Sequence, residues 1–353
     1  MGCWLSRTAA DVIAGDQPCV TAKKVYSWDK REKKDPAKYT IEKMVGVEVG
    51  RMPGMIAGEQ FVVRECSHCC IFLLDHLNTI TVDDCSDCTI IIGPTSGSVF
   101  IRDCKSCVVV AACGQFRTRD CQELQLRLLC NTQPIIEAST RVRFSCYQLY
   151  YEQLQDQFRR SGLSVFNNNW SEVHDFTPGT DGDKNWSVVM PSVLPDLKLP
   201  SQSPFDCVGI ECSRTTSVVP FTMGSVSPPS YRMLGDEPLL VIIYHCPQQG
   251  AIVKGVVRVL QEAAGLSAVL YTREVTISPT EAVRVLGEAA AGDAGALLTA
   301  GPVVALLVDA PYHHIQQSVS AVRRDLYFLS PNNGNGYNIA NKFFSFASLS
   351  MSV

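Results

Sequence analysis

From Glu59 to Cys146 the chain alternates apolar and polar positions in short runs, and the runs themselves recur. Four eight-residue segments align without gaps: Glu59–Cys66, Asn78–Cys85, Gly97–Cys104 and Gly114–Cys121, each ending in an acidic residue and Cys. The first three continue as Cys-x-x-Cys and then an apolar run, Ile71–Leu74, Ile90–Ile92 and Val108–Val110. The leading cysteines of the four segments, Cys66, Cys85, Cys104 and Cys121, are 19, 19 and 17 residues apart. A repeat this short cannot bury its own apolar face and must stack on its neighbours. The pattern predicts a right-handed parallel β-helix with one repeat per coil.

Alternation also sets the phase of each strand, because successive side chains point to opposite faces. Phe61/Val63, Ile80/Val82, Val99/Ile101 and Phe116/Thr118 share two columns and are expected to point inward. Val62/Arg64, Thr81/Asp83, Phe100/Arg102 and Arg117/Arg119 then point outward. Gln115 is in phase with Arg117 and Arg119. The fourth coil should therefore present Gln115, Arg117 and Arg119 to solvent, beside Phe100 and Arg102 of the third.

Beyond Cys121 the pattern loosens. Leu124–Leu129 and Val142–Cys146 read as further strands, separated by Thr132–Glu137. Leu149–Ser161 reads as a helix stopped by Gly162 and placed to cap the open end of the β-helix. Residues 167–178, with Asn185-Trp186, read as an irregular segment anchored by aromatics. His174 and Asp175 in it have no nucleophile spaced for acid–base chemistry and are expected to be structural. Residues 191–237, rich in Pro and Ser, read as a linker. A second domain follows at 238–331: strand Leu239–Tyr244, helix Ala251–Ala264, strand Ala268–Ile277, helix Thr280–Ala290 with its N-cap at Ser278, strand Val303–Val308, helix Ile315–Leu326 and a short strand Tyr327–Leu329. Short alternating units of this kind predict a ferredoxin-like α/β sandwich. The tail, 332–353, has no assigned element.

The cysteine pairs have the spacing of zinc knuckles. Every pair nevertheless sits in register with the strand repeat, and the fourth coil puts Leu124 where the second Cys would be. A metal ligand does not tolerate that replacement and a small apolar corner does, so structural thiols and no metal are expected. Sixteen cysteines without a secretory signal point to reduced thiols in a reducing compartment. The 353 residues, 46% hydrophobic and 19% charged, leave room for two domains, and a net charge of −4 gives no reason to expect nucleic acid as a partner. The most apolar stretch, Gly295–Val308, is broken by Gly301-Pro302 and too short for a membrane span.

The chain begins Met1-Gly2-Cys3-Trp4-Leu5-Ser6, which matches the N-myristoylation pattern at Gly2, with Cys3 placed for a palmitoyl chain. A single myristoyl chain binds a bilayer only marginally, at about 10⁴ M⁻¹, so the adjacent Cys matters. Residues 1–25 are expected to be an acylated tether.

Residues 26–178 resemble the tubulin-binding cofactor C domain family, most closely its retinitis pigmentosa branch. The match is carried by Tyr26–Pro36, Val49–Phe61, the Asp-Cys-x-x-Cys coils, Gly93–Cys104, Cys113–Cys121, Asn131–Glu137 and Trp170–Pro178, and the Met-Gly-Cys start fits it too. The C-terminal portion is similar to nucleoside diphosphate kinases, chiefly through Gly301–Val308. It lacks their catalytic Asn-x-x-His-Gly-Ser motif, and His313-His314 stands in another context, so a degenerate, non-catalytic module is expected.

The resemblance implies a β-helix (residues 26–190) that acts as a GTPase-activating protein for an Arf-like small GTPase. It implies that Arg117 is an arginine finger, with Gln115 and Glu137 supporting it. Phe176, Arg119, Phe100 and Arg102 are then expected on the docking surface. The partner would bring the GTP and Mg²⁺, and this chain would hold no cofactor of its own. The branch resembled serves lipidated ciliary cargo, which implies the cytoplasmic face of the plasma membrane, the ciliary base or the ciliary membrane. Two alternatives stay open: activation of tubulin GTP hydrolysis, and a membrane adapter that binds the GTPase without stimulating it.

Overall fold

The computed structural model describes residues 35–179, 184–224 and 238–350. Gly2 and Cys3, with the rest of the expected tether, lie outside the described residues. The described chain from Ala37 onward forms one compact unit.

Its first half is a parallel β-helix built on two sheets. One sheet contains, in spatial order, β1 (Thr40–Glu42), β3 (Phe61–Arg64), β5 (Ile80–Asp83) and β7 (Thr95–Arg102). It continues with the second half of β8 (Val108–Arg119), then β10 (Ile135–Glu137) and β12 (His174–Asp175). The other contains β2 (Glu48–Arg51), β4 (Cys70–Leu73), β6 (Thr89–Ile92), the first half of β8, β9 (Gln125–Cys130), β11 (Val142–Cys146) and β13 (Trp186–Val188). All neighbours are parallel. Strand β8 passes from one sheet to the other at Gly114, where a Cβ would stand 2.6 Å from Ser96 O. The strand phase is as expected: Phe61, Val63, Ile80, Val82, Val99, Ile101, Phe116 and Thr118 are buried, and their alternates are partly or fully exposed.

The acidic residue of each repeat turns the corner between the sheets. Glu65, Asp84, Asp103 and Asp120 have φ between 50° and 54°, and the residue three further on repeats the conformation: His68, Asp87, Ser106 and Glu123. Asp is among the few residues that visit this left-handed region readily, which accounts for its recurrence before Cys. The cysteines fill the inside of the corner. Each leading thiol donates to the carbonyl two residues back: Cys66 to Arg64, Cys85 to Asp83, Cys104 to Arg102 and Cys121 to Arg119, at 3.0–3.3 Å. In the fifth coil Ser139 takes the same place and donates to Glu137 O at 2.8 Å. The column therefore selects a small donor. Among the described residues no group of three His, Cys, Asp or Glu side chains is arranged to hold a metal ion.

Helix α1 (Leu154–Ser161) does not cap the end of the β-helix as expected. Its Leu154 and Phe158 pack in one core with Phe72, Ile91 and Val110, which point outward from the second sheet. Gln157 Nε2 donates to Leu74 O at 2.8 Å. The sheet's apolar outer face needed a cover, and an amphipathic helix supplies it. Trp170 and Phe221 instead join the interior core of the β-helix.

The stretch read as a linker is packed as far as it is described. Phe205, Ile210, Val218, Val219, Phe221 and Met223 are buried, and Phe205 meets Phe72 at 5.6 Å between ring centroids. Residues 225–237 lie outside the described residues. The second half of the chain has an antiparallel sheet of order β15 (Val269–Val275), β16 (Val303–Val308), β14 (Leu239–Ile243), β17 (Tyr327–Leu329). Helices α2 (Gln249–Ala264) and α5 (Tyr312–Ser320) pack on the face shared with the β-helix. Helices α3 (Pro279–Leu286) and α4 (Glu288–Leu298) follow β15, α3 starting at a capping box in which Ser278 and Glu281 bond each other's backbone. The unassigned tail forms α6 (Gly336–Ser350), whose Ala340, Phe343 and Ala347 cover the other face of the sheet.

Candidate functional site

The residues singled out from the sequence converge on one face of the first sheet. Parallel pairing puts Phe100 of β7, Arg117 of β8, Ile135 of β10 and His174 of β12 in one lateral row. The next row holds Arg102, Arg119 and Glu137. Gln115 lies one row before, opposite Ser98, whose hydroxyl donates to Gln115 Oε1 at 3.3 Å. Strands stand about 4.8 Å apart and same-face residues about 6.7 Å apart along a strand, so the group occupies a patch of roughly 14 by 13 Å.

Phe176 extends the patch beyond β12. Its backbone N–H donates to Ile136 O at 2.9 Å, and its ring is 60% exposed. The ring meets His174 edge-on, with centroids 4.6 Å apart. Asp175 Oδ2 accepts from Asn185 Nδ2 at 3.0 Å, and Thr177 Oγ1 accepts from Ala138 N–H at 2.6 Å. These bonds hold the segment that carries Phe176 against the last coils. An exposed aromatic fixed in this way is a ready anchor for a protein partner.

The arginines of this face differ in what they bind. Arg64 pairs with Glu42 at 2.5 Å. Arg102 makes a two-pronged pair with Asp83 at 2.7 and 2.6 Å, and Arg119 pairs with Asp120 at 3.0 Å. Hydrogen bonding to these carboxylates holds both guanidinium groups above their usual pKa. Arg117 alone among these four has no carboxylate partner among the described residues, and its side chain is exposed. Among the described residues no hydrogen bond or ion pair engages its guanidinium.

Arg117 and Gln115 also line a cleft of about 720 Å³. His174 and Glu172 contribute to it, and its far wall is formed by Tyr271, Asn341 and Phe344 of the C-terminal half. Sequence reasoning set His174 aside and gave the far wall no part. The row that holds His174 depends on a strand pairing across about 40 residues that no repeat announces.

Comparison with known proteins agrees with this architecture. The family Tubulin binding cofactor C matches residues 58–176. Protein XRP2 of Xenopus laevis is 40% identical over 371 residues, covering 100% of both chains. Protein XRP2 of Homo sapiens is 40% identical over 360 residues, again covering 100% of each. Tubulin-specific chaperone C of Homo sapiens is 31% identical over 130 residues, 36% of this chain and 38% of that one. Identity at that level over the whole length shows that this chain belongs to the XRP2 family, with a tubulin binding cofactor C domain in its β-helix.

Proposed function

We propose that this chain is a GTPase-activating protein for an Arf-like small GTPase and that Arg117 is the finger it inserts. The free, exposed guanidinium of Arg117, flanked by Gln115, Glu137 and Phe176, is the observation that carries this reading. In GTP hydrolysis water attacks the γ-phosphorus and the bond to the β–γ bridging oxygen breaks. Negative charge builds on the bridge and on the equatorial oxygens. A planar, permanently charged group with paired donors matches that charge, and supplying it in trans is worth about 10³–10⁵-fold, or roughly 4–7 kcal/mol of barrier. The partner contributes the nucleotide, its Mg²⁺ and the residue that orients water. Gln115 and Glu137 position the finger and the partner's loops, and Phe176, Phe100, Arg102 and Arg119 make the surrounding contact.

Acyl chains on Gly2 and Cys3 hold the protein at the cytoplasmic face of the plasma membrane or at the ciliary base, where the GTPase releases lipidated cargo. The C-terminal half is read as a ferredoxin-like module similar to nucleoside diphosphate kinases. Its strand order and all-antiparallel pairing support this, and without their catalytic motif it performs no phosphate transfer of its own.

Likeness to Tubulin-specific chaperone C favours a second reading, stimulation of GTP hydrolysis by tubulin. Single-turnover hydrolysis by GTP-loaded Arf-like proteins and by tubulin, with and without this chain, separates the two. Acceleration of an Arf-like protein alone supports the first reading. Acceleration of tubulin alone replaces it, and tight binding to the GTP form with no acceleration makes the protein an adapter.

A further inference from the structure

The cleft beside Arg117 has one wall from the β-helix and one from the C-terminal half. Taken as a sphere, its 720 Å³ is about 11 Å across. A stable protein–protein contact covers about 800 Å² on each partner, a disc of roughly 16 Å radius. A folded partner that brings its nucleotide to Arg117 centres such a disc on that residue, and the whole cleft falls within it.

The far wall is built to be met. Along α6, Ala340, Phe343 and Ala347 face the sheet, while Asn341, Phe344 and Ser348, at the same helical spacing, face the cleft. Asn341 and Ser348 are exposed, and Phe344 is partly so.

The two walls are also locked together. Tyr271 donates to Glu172 at 2.6 Å, Thr272 Oγ1 to Phe166 O at 2.8 Å and Arg273 Nη1 to Asn168 O at 3.2 Å. Glu274 N–H donates to Asn167 Oδ1 at 2.7 Å, and Asn167 Nδ2 returns a bond to Glu274 O at 3.1 Å. Strand β15 is thus fastened residue by residue to the segment that leads into β12. A surface whose parts are already fixed loses little ordering entropy on binding.

We propose that α6, through Asn341, Phe344 and Ser348, is a second docking wall for the GTP-bound small GTPase that Arg117 serves. This rests on the function proposed above. It gives the C-terminal half a role in recognising the partner, separate from the chemistry at Arg117.

The full-length protein is titrated against a fixed amount of GTP-loaded Arf-like GTPase, and the half-saturating concentration and saturating hydrolysis rate are measured. Asn341→Trp and Ser348→Trp, bulky side chains at exposed positions, are expected to raise the half-saturating concentration at least tenfold and to keep the saturating rate within twofold. Lys342→Ala, exposed on the same helix but outside the cleft, should behave as wild type. Circular dichroism and melting temperature report folding, and either Trp variant suffices if the other misfolds. If both fold and keep the wild-type half-saturating concentration while wild type stimulates hydrolysis, α6 is not a docking wall. If wild type itself stimulates nothing, the function proposed above fails instead.

Discussion

Arg119 Nε lies 3.0 Å from Asp120 Oδ2, an ion pair that ties the last outward arginine of β8 to its own corner. Arg117, two residues earlier in the same outward phase, has no carboxylate partner among the described residues. The two arginines share a strand, a face and an exposed position, and differ in what they are free to do. Arg119→Ala is therefore expected to raise the half-saturating concentration of the protein a few-fold, through lost contact, and to leave the saturating hydrolysis rate within about threefold. An interaction made equally in the ground and transition states changes binding and not the chemical step. A loss of saturating rate as large as that for Arg117→Ala would mean that Arg119 is the finger.

The corner thiols should behave as buried donors. Burial pushes Cys66 up to about 11, whereas hydrogen bonding with Cys107 draws Cys88 down to about 7. No corner thiol is more than 2% exposed, so burial keeps a reagent from all of them. A disulfide reagent at pH 8 should label the exposed Cys207 rapidly and the corner cysteines only after denaturation. Zinc in protein purified without chelator should fall well below one per chain. Stoichiometric zinc, lost together with the fold on chelation, would overturn the structural reading.

Asp75 supplies a pH dependence. It is 3% exposed, and its carboxylate accepts the backbone N–H groups of Ala57 and Ile56 at 2.7 and 2.8 Å and of His76 at 2.9 Å, with the His76 ring Nδ1 3.1 Å from Oδ1. Burial on its own would raise its pKa, but these bonds together outweigh it and the net shift is downward. A carboxyl whose folded pKa lies below its unfolded one stabilises the fold above the unfolded value, near 3.9, and stops doing so as pH falls through the folded value. Asp75→Asn should therefore cost about 1–3 kcal/mol at pH 7 in denaturant melts. The difference from wild type should shrink as pH drops below about 4. A pH-independent difference would show that the charge has no part in it.

Much of the β-helix was legible because its information is local and repeated. Phe116 and Arg117 could be assigned to opposite faces from alternation alone, and the stacking of Phe100 beside Arg117 followed from aligning two repeats. The strand pairing that brings Glu137 and His174 to the same rows was not visible, because β10 and β12 stand outside the repeat. Composition misled at 191–224: a Pro- and Ser-rich stretch with apolar residues at irregular spacing looks like a linker until Phe72 provides something for Phe205 to pack on. Helix α1 was placed at the end of the coil because the sequence does not reveal that Phe72, Ile91 and Val110 make the outer face apolar enough to need a cover. The cleft brings Arg117 and Tyr271, 154 positions apart, onto facing walls, and no pattern in either segment signals the other.

Membrane attachment is expected to depend on Gly2 and Cys3. Gly2→Ala should move the protein to the soluble fraction, and Cys3→Ser should weaken retention while leaving the myristoyl chain, since stable anchoring takes two signals. Fractionation of cells expressing each variant measures this. Wild-type retention of both variants would place the anchor elsewhere.

The proposed role of Arg117 is tested most directly by single-turnover GTP hydrolysis with the Arg117→Ala protein at a concentration that saturates the proposed GTP-loaded Arf-like partner. If the guanidinium offsets charge that develops only in the transition state, as proposed, the variant should still form the complex and should lose about 10³-fold or more of the stimulated rate. Arg117→Lys should recover little, because an ammonium on a flexible stem lacks the planar paired donors. A folded Arg117→Ala protein that binds the partner and accelerates hydrolysis like wild type would contradict the account.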